Sequence, residues 1–137
     1  MLDAHKTLVV RYVELYDAGD VAIADEIVAV DFVDHTHPEA EPGPAGVKRM
    51  VAALRAAFPD ARATVEQLVA EGDTVAFRFV LRGTHHGIFG GIPPTGKSVT
   101  LTGMDFIRIA DGKLAELWSN QDTLGLLRQL GAIPPGR

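Results

Sequence analysis

The sequence predicts an α+β fold: helices first, then a mostly antiparallel sheet that they cover. Three observations carry this. Apolar residues recur with a helical period up to Phe58, the period drops to two from Ala61 onward, and the short turn signals "EGD" and "ADGK" join the alternating runs.

The elements follow in order. Leu8, Val9, Tyr12, Val13 and Tyr16 form one face of a first helix, which Gly19 stops. Asp20 is the expected cap of a second, short helix that holds Ile23, Ile27 and Val28. "DFVDHTHP" reads as extended up to Pro38, and "PEAEPGPAG" as a loop. Val47, Met50, Val51, Leu54 and Phe58 outline a third helix, stopped by Pro59. "ATVEQLVA" is the first alternating run. In "TVAFRFVLRGTH", Val75, Phe77, Phe79 and Leu81 share a face. "HGIFGGIPPTGK" is too rich in Gly and Pro to be regular. "SVTLTGMDFIRI" is a long strand, the Asp-Gly of "ADGK" a hairpin turn, "LAELWSNQ" the last strand and "TLGLLRQLG" a closing helix. Helices packed on a twisted sheet leave a concave space where small molecules bind.

A chain of 137 residues is the size of one domain, 1–137, able to bury a core unaided. With 13 basic and 18 acidic side chains, a formal charge of −5 and no Lys/Arg cluster, nucleic acid is not an expected partner. The absence of cysteine excludes disulfides and thiolate chemistry. No signal peptide or membrane-length apolar run is present, so the expected location is the cytoplasm. Abundant alanine and more Arg than Lys point to a bacterial source. The runs Thr74–His85 and Ser98–Ile109 have few charges on either face. A second apolar sheet face wants a partner, and a homodimer through the outer face is expected.

Several side chains are candidates for chemistry. Asp122 stands where the last strand meets the last helix, four residues after the only tryptophan. It has two readings: a helix N-cap, or a proton carrier. Strand parity groups Trp118, Asn120 and Asp122 with Leu114 and Glu116. If Trp118 lines the pocket, Asn120 and Asp122 approach it as well, and Asp122 is desolvated. His35, after Phe32 and Val33, and His85, at the end of a strand, can reach a pocket mouth. His35-x-His37 has a spacing that a metal site can use, but no Glu stands at a ligand spacing, and no metal is expected. Gly91 to Ser98 matches the Walker pattern formally. A strand follows it, however, and two prolines remove backbone donors, so it is not a phosphate loop. Arg78 and Arg82 share a solvated or interface-facing strand face.

The segment "GTHHGIFGGIPPTGKSVTLTGMDFIRIADGKLAELWSNQDTLGLLRQLG" closely resembles the C-terminal half of the SnoaL-like polyketide cyclases, or predicted ester cyclases, of the nuclear-transport-factor-2-like superfamily. "YVELYDAGD" and "FVDH" extend the resemblance to the helical half. It implies a cone-shaped domain with three N-terminal helices on a curved sheet enclosing a pocket. It further implies ring closure of a hydrophobic, carbonyl-bearing small molecule by an intramolecular aldol step, without metal or organic cofactor. In the family one Asp, matched to Asp122, acts as acid and base; Trp118 and Phe32 would wall the substrate, and Asn120 or His35 would bond the enolate oxygen. "RYVELYDAGD" is also similar to the first helix of the ketosteroid isomerases. That similarity matches Tyr12 and Asp105 to their oxyanion-hole pair and sets His35 at the position of their base. A non-catalytic pocket protein that binds such a ligand is the alternative from another class.

Overall fold

A computed structural model describes residues 2–134. The chain runs α1 (Leu2–Ala18), α2 (Ile23–Ile27), β1 (Val28–Asp34), α3 (Pro44–Ala57), β2 (Arg62–Glu71), β3 (Thr74–Thr84), β4 (Ser98–Ala110), β5 (Lys113–Gln121) and α4 (Thr123–Leu130). The strands form one curved sheet in the order β1-β5-β4-β3-β2. Every pairing is antiparallel except that of β1 with β5. The α+β architecture expected from the change of period is the one observed, and three helices precede β2.

Two local expectations are corrected. Asp20 does not cap α2: the N-cap is Ala22, with no side-chain cap, and the Asp20 carbonyl accepts the Ile23 amide at 3.2 Å. Val28 is not helical but opens β1, because its extended backbone pairs with Leu114 of β5. The Asp-Gly turn forms as expected. Asp111 and Gly112 have φ of 52° and 74°, the left-handed pair that a tight hairpin needs.

Alternation builds the core. Along β4, Val99, Leu101, Gly103, Asp105, Ile107 and Ile109 are buried under the helices, while Thr100, Thr102, Met104 and Phe106 face outward. Val9, Ile27, Val75, Ile107 and Leu114 belong to one apolar cluster beneath α1 and α2. Phe58, Leu81, Val99, Leu101 and Leu126 belong to a second, beneath α4. A cavity lies between the two.

Candidate active site

The cavity has a volume of about 400 Å³, within the range of small-molecule sites. Most of its wall is apolar, from Leu54, Phe77, Phe79, Leu101 and Leu126, and the loop residues Ile88 to Gly90 reach its edge. Gly103 makes room on its floor: a Cβ there would stand 2.5 Å from the Phe79 ring.

Asp105 stands on this floor. It pairs across the sheet with Phe77 on one side and Ser119 on the other, and is 5% exposed. Its Oδ1 is buried without a hydrogen-bond partner among the described residues. Burial in apolar surroundings pushes its carboxyl up to about 6; the neighbouring Ser119 hydroxyl works against the rise and the Asp34 charge adds to it. A carboxyl so tuned ionises near neutrality, where a general base works best.

Two tyrosines face it from α1, one turn apart. The hydroxyls of Tyr12 and Tyr16 lie 3.2 Å apart, with the rings edge-on at 5.5 Å. Burial holds the Tyr16 phenol at about 12 and raises that of Tyr12 well above its ordinary value. Both therefore remain neutral hydrogen-bond donors at neutral pH.

β1 delivers the third polar group. Phe32 and Asp34 share a face, so the buried Phe32 ring fixes Asp34 inward. Asp34 Oδ1 accepts the Thr36 amide at 2.9 Å and the His37 amide at 3.3 Å; its Oδ2 accepts from His37 Nδ1 at 2.9 Å. Asp34, His37, Ser119 and Gln121 all line the cavity.

The structure brings together two of the residues singled out in the sequence, Tyr12 and Asp105. The others lie elsewhere. Asp122 is the N-cap of α4: its exposed carboxylate accepts the Gly125 amide at 2.9 Å, and it does not line the cavity, although Gln121 and Thr123 do. Trp118 and Asn120 are exposed on the outer sheet face. His35 is there too, stacked on Trp118 at 4.7 Å and bonded through Nε2 to Glu116 at 3.1 Å. The His35-x-His37 pair is split because a turn begins after Asp34 and carries His37 to the opposite side. His85 is fully buried outside the cavity. Its Nδ1 accepts the Thr95 amide at 3.2 Å and its ring packs on Phe58, so it anchors the loop that precedes β4. Phe32, 3% exposed, is core beside the cavity rather than part of its wall.

The reversed face of β5 has a definite cause. Arg108 pairs with Glu116 but Ile109 with Leu114, so Ala115 is an extra residue in the ladder. Leu114 and Leu117 consequently both point inward, and Trp118 and Asn120 out, a swap that simple alternation from Leu114 misses. From the sequence, Asp34, Tyr16, Ser119 and Gln121 are not reached as site residues, and His37 enters only as half of a metal-spaced pair with His35. Two signals were available: the parity of Phe32 with Asp34, and the one-turn spacing of Tyr16 from Tyr12.

Residues 6–130 match the family model of the SnoaL-like polyketide cyclases. The chain belongs to this family. Among relatives, the SnoaL-like chain is 33% identical over 129 residues to the aklanonic acid methyl ester cyclase DnrD of Streptomyces peucetius, covering 90% of this chain and 88% of that one. It is 30% identical over 122 residues to the nogalonic acid methyl ester cyclase of Streptomyces nogalater, covering 87% and 91%. Among solved structures, it resembles TsrD from Streptomyces laurentii with a TM-score of 0.92 at 28% identity, covering 97% and 98%.

Proposed function

We propose that this SnoaL-like protein is a cofactor-independent cyclase. It closes a carbon ring in a hydrophobic polyketide methyl ester by an intramolecular aldol step, with Asp105 as the base. The observation that carries this reading is a buried carboxylate with an unpartnered oxygen on the floor of an apolar cavity. Asp105 removes the acidic proton that lies between two carbonyls. The Tyr12 and Tyr16 hydroxyls, already held together, donate to the enolate oxygen that forms. Apolar walls exclude water, which keeps the enolate from being quenched before the carbon–carbon bond closes. Support for the substrate class comes from the two relatives named for methyl ester cyclisation.

The test is to incubate the protein with aklanonic acid methyl ester and with nogalonic acid methyl ester. The expected product is an isomer of unchanged mass with a new retention time. An unchanged ester in both reactions would leave the cavity as a binding site only.

The same proposal includes a cytoplasmic bacterial homodimer. Met104, Phe106 and Trp118 present exposed apolar surface on neighbouring outer-face positions of β4 and β5. A second copy covering that surface removes it from water. Sedimentation at micromolar concentration should give twice the chain mass, and a monomer there would remove the dimer from the proposal.

A further inference from the structure

An aldol closure needs two protons handled at different atoms. One leaves the carbon acid, and one must reach the alkoxide formed when the second carbonyl is attacked. Asp105 accounts for the first.

The dyad on β1 and the turn after it has the geometry for the second. The His37 imidazole lines the cavity with about a third of its side chain exposed, whereas the Asp34 side chain beside it is 11% exposed. Asp34 cannot swing freely, because its other oxygen accepts two turn amides. The turn itself is tied down. Thr36 Oγ1 donates to the Ser119 carbonyl at 3.0 Å and accepts the Ser119 amide at 2.7 Å. Ser119 is the residue paired with Asp105 across β4 and β5, so one backbone position registers the dyad and the base against each other. With Nδ1 engaged by a carboxylate, Nε2 is the nitrogen left for substrate. None of the hydrogen bonds among the described residues engages it.

Resting on the cyclase reading above, we propose that His37, oriented by Asp34, is the acid that protonates the new alkoxide. The step balances as follows. Asp105 takes the proton from carbon, and the resulting enolate carbon attacks the second carbonyl. The π electron pair of that carbonyl moves to oxygen, and the Nε2–H of the imidazolium passes to the alkoxide as the carbon–carbon bond completes. His37 is left neutral with Nδ1–H donating to Asp34. The proton on Asp105 then returns to His37 through solvent, so substrate and product are isomers. Asp34 is a positioning residue that stabilises positive charge on the ring and fixes its tautomer, the role a carboxylate plays beside histidine in hydrolase triads.

The experiment uses the whole protein and three variants, His37→Gln, Asp34→Asn and, as a control on the outer face, His35→Gln. With aklanonic acid methyl ester as the probe, His37→Gln and Asp34→Asn should each lower kcat about 10²-fold with KM changed only a few-fold, and His35→Gln should leave both unchanged. A second readout needs no substrate. ¹⁵N NMR of neutral His37 should show the proton on Nδ1 in the native protein and on Nε2 in Asp34→Asn, because the Asn amide donates where the carboxylate accepted. Native kcat in His37→Gln, or the same tautomer in both proteins, would overturn the proposal. Should the native protein leave the ester untouched, the cyclase reading fails separately, and the tautomer result alone supports or overturns the dyad.

Discussion

Asp105 and Glu116 lie on neighbouring strands, one on each face of the same sheet, and their surroundings have moved them in opposite directions. Asp105 faces inward among Leu101, Ile107 and the Phe77 ring, and burial lifts its carboxyl to about 6. Glu116 faces outward, where a hydrogen bond from Arg108, and then one from His35, hold its carboxyl below its ordinary value. Both residues are acids. What separates a proton carrier from a surface ion pair here is the medium: water and a cationic partner stabilise one charge, and apolar contacts penalise the other.

The largest expected effect tests the inner face. Asp105→Asn should lose about 10²-fold or more in kcat, while KM stays near native. The same change should stabilise the fold at pH 7 by on the order of 1–3 kcal/mol, measured by chemical denaturation. The sign follows from the raised carboxyl: the native state binds more protons than the unfolded chain between the ordinary 3.8 and about 6, so native stability falls as pH rises through that window and the neutral amide escapes the loss. In the native enzyme, the acid limb of the kcat/KM profile should climb as pH rises through about 6, as the base ionises, and the alkaline limb should fall as His37 loses the proton it donates. A flat profile from pH 5 to 8 would remove Asp105 from the reaction.

The outer face should respond in the opposite sense. Phe106→Arg should weaken self-association about 10²-fold or more in sedimentation and leave kcat per chain unchanged. A drop in kcat that tracks dissociation would mean the two faces are coupled. At the junction between the faces, Asp122→Ala should cost about 1 kcal/mol of stability, and Asp122→Asn much less, with turnover retained in both. An Asp122→Asn variant that melts normally but has lost turnover would return the chemistry to the cap. The smallest effect is expected at Glu116→Gln, which should change neither turnover nor melting temperature measurably, since a half-exposed surface ion pair contributes little.

Two polar residues of the site, Tyr12 and Asp105, were legible in the sequence. The alternation of "SVTLTGMDFIRI" sets Asp105 on the same face as Val99, Leu101 and Ile107, and the helical spacing of Tyr12 with Val9 and Val13 turns its ring inward. Those patterns are local, and the covered face is the apolar one. The resemblance to SnoaL-like cyclases likewise led to the family and to a pocket. It also implies a catalytic Asp122, where a carboxylate at a strand–helix junction satisfies the demand for an N-cap as readily as a catalytic one.

What the sequence could determine by itself was periodicity and its consequences: helices before strands, the hairpin at Asp111–Gly112, the inward face of β4 and the inward tyrosine of α1. Only the tertiary structure decided which face of β5 met the cavity, because the extra residue at Ala115 is a property of the β4–β5 ladder and shows no signature in β5 alone. Only it decided that His37 rather than His35 turns inward, through a turn secured by Thr36 to Ser119, 83 residues away. A side chain's direction within one strand follows from local stereochemistry. Its burial, its partners and its affinity for a proton follow from contacts between distant segments, and those exist only once the sheet has closed over the helices.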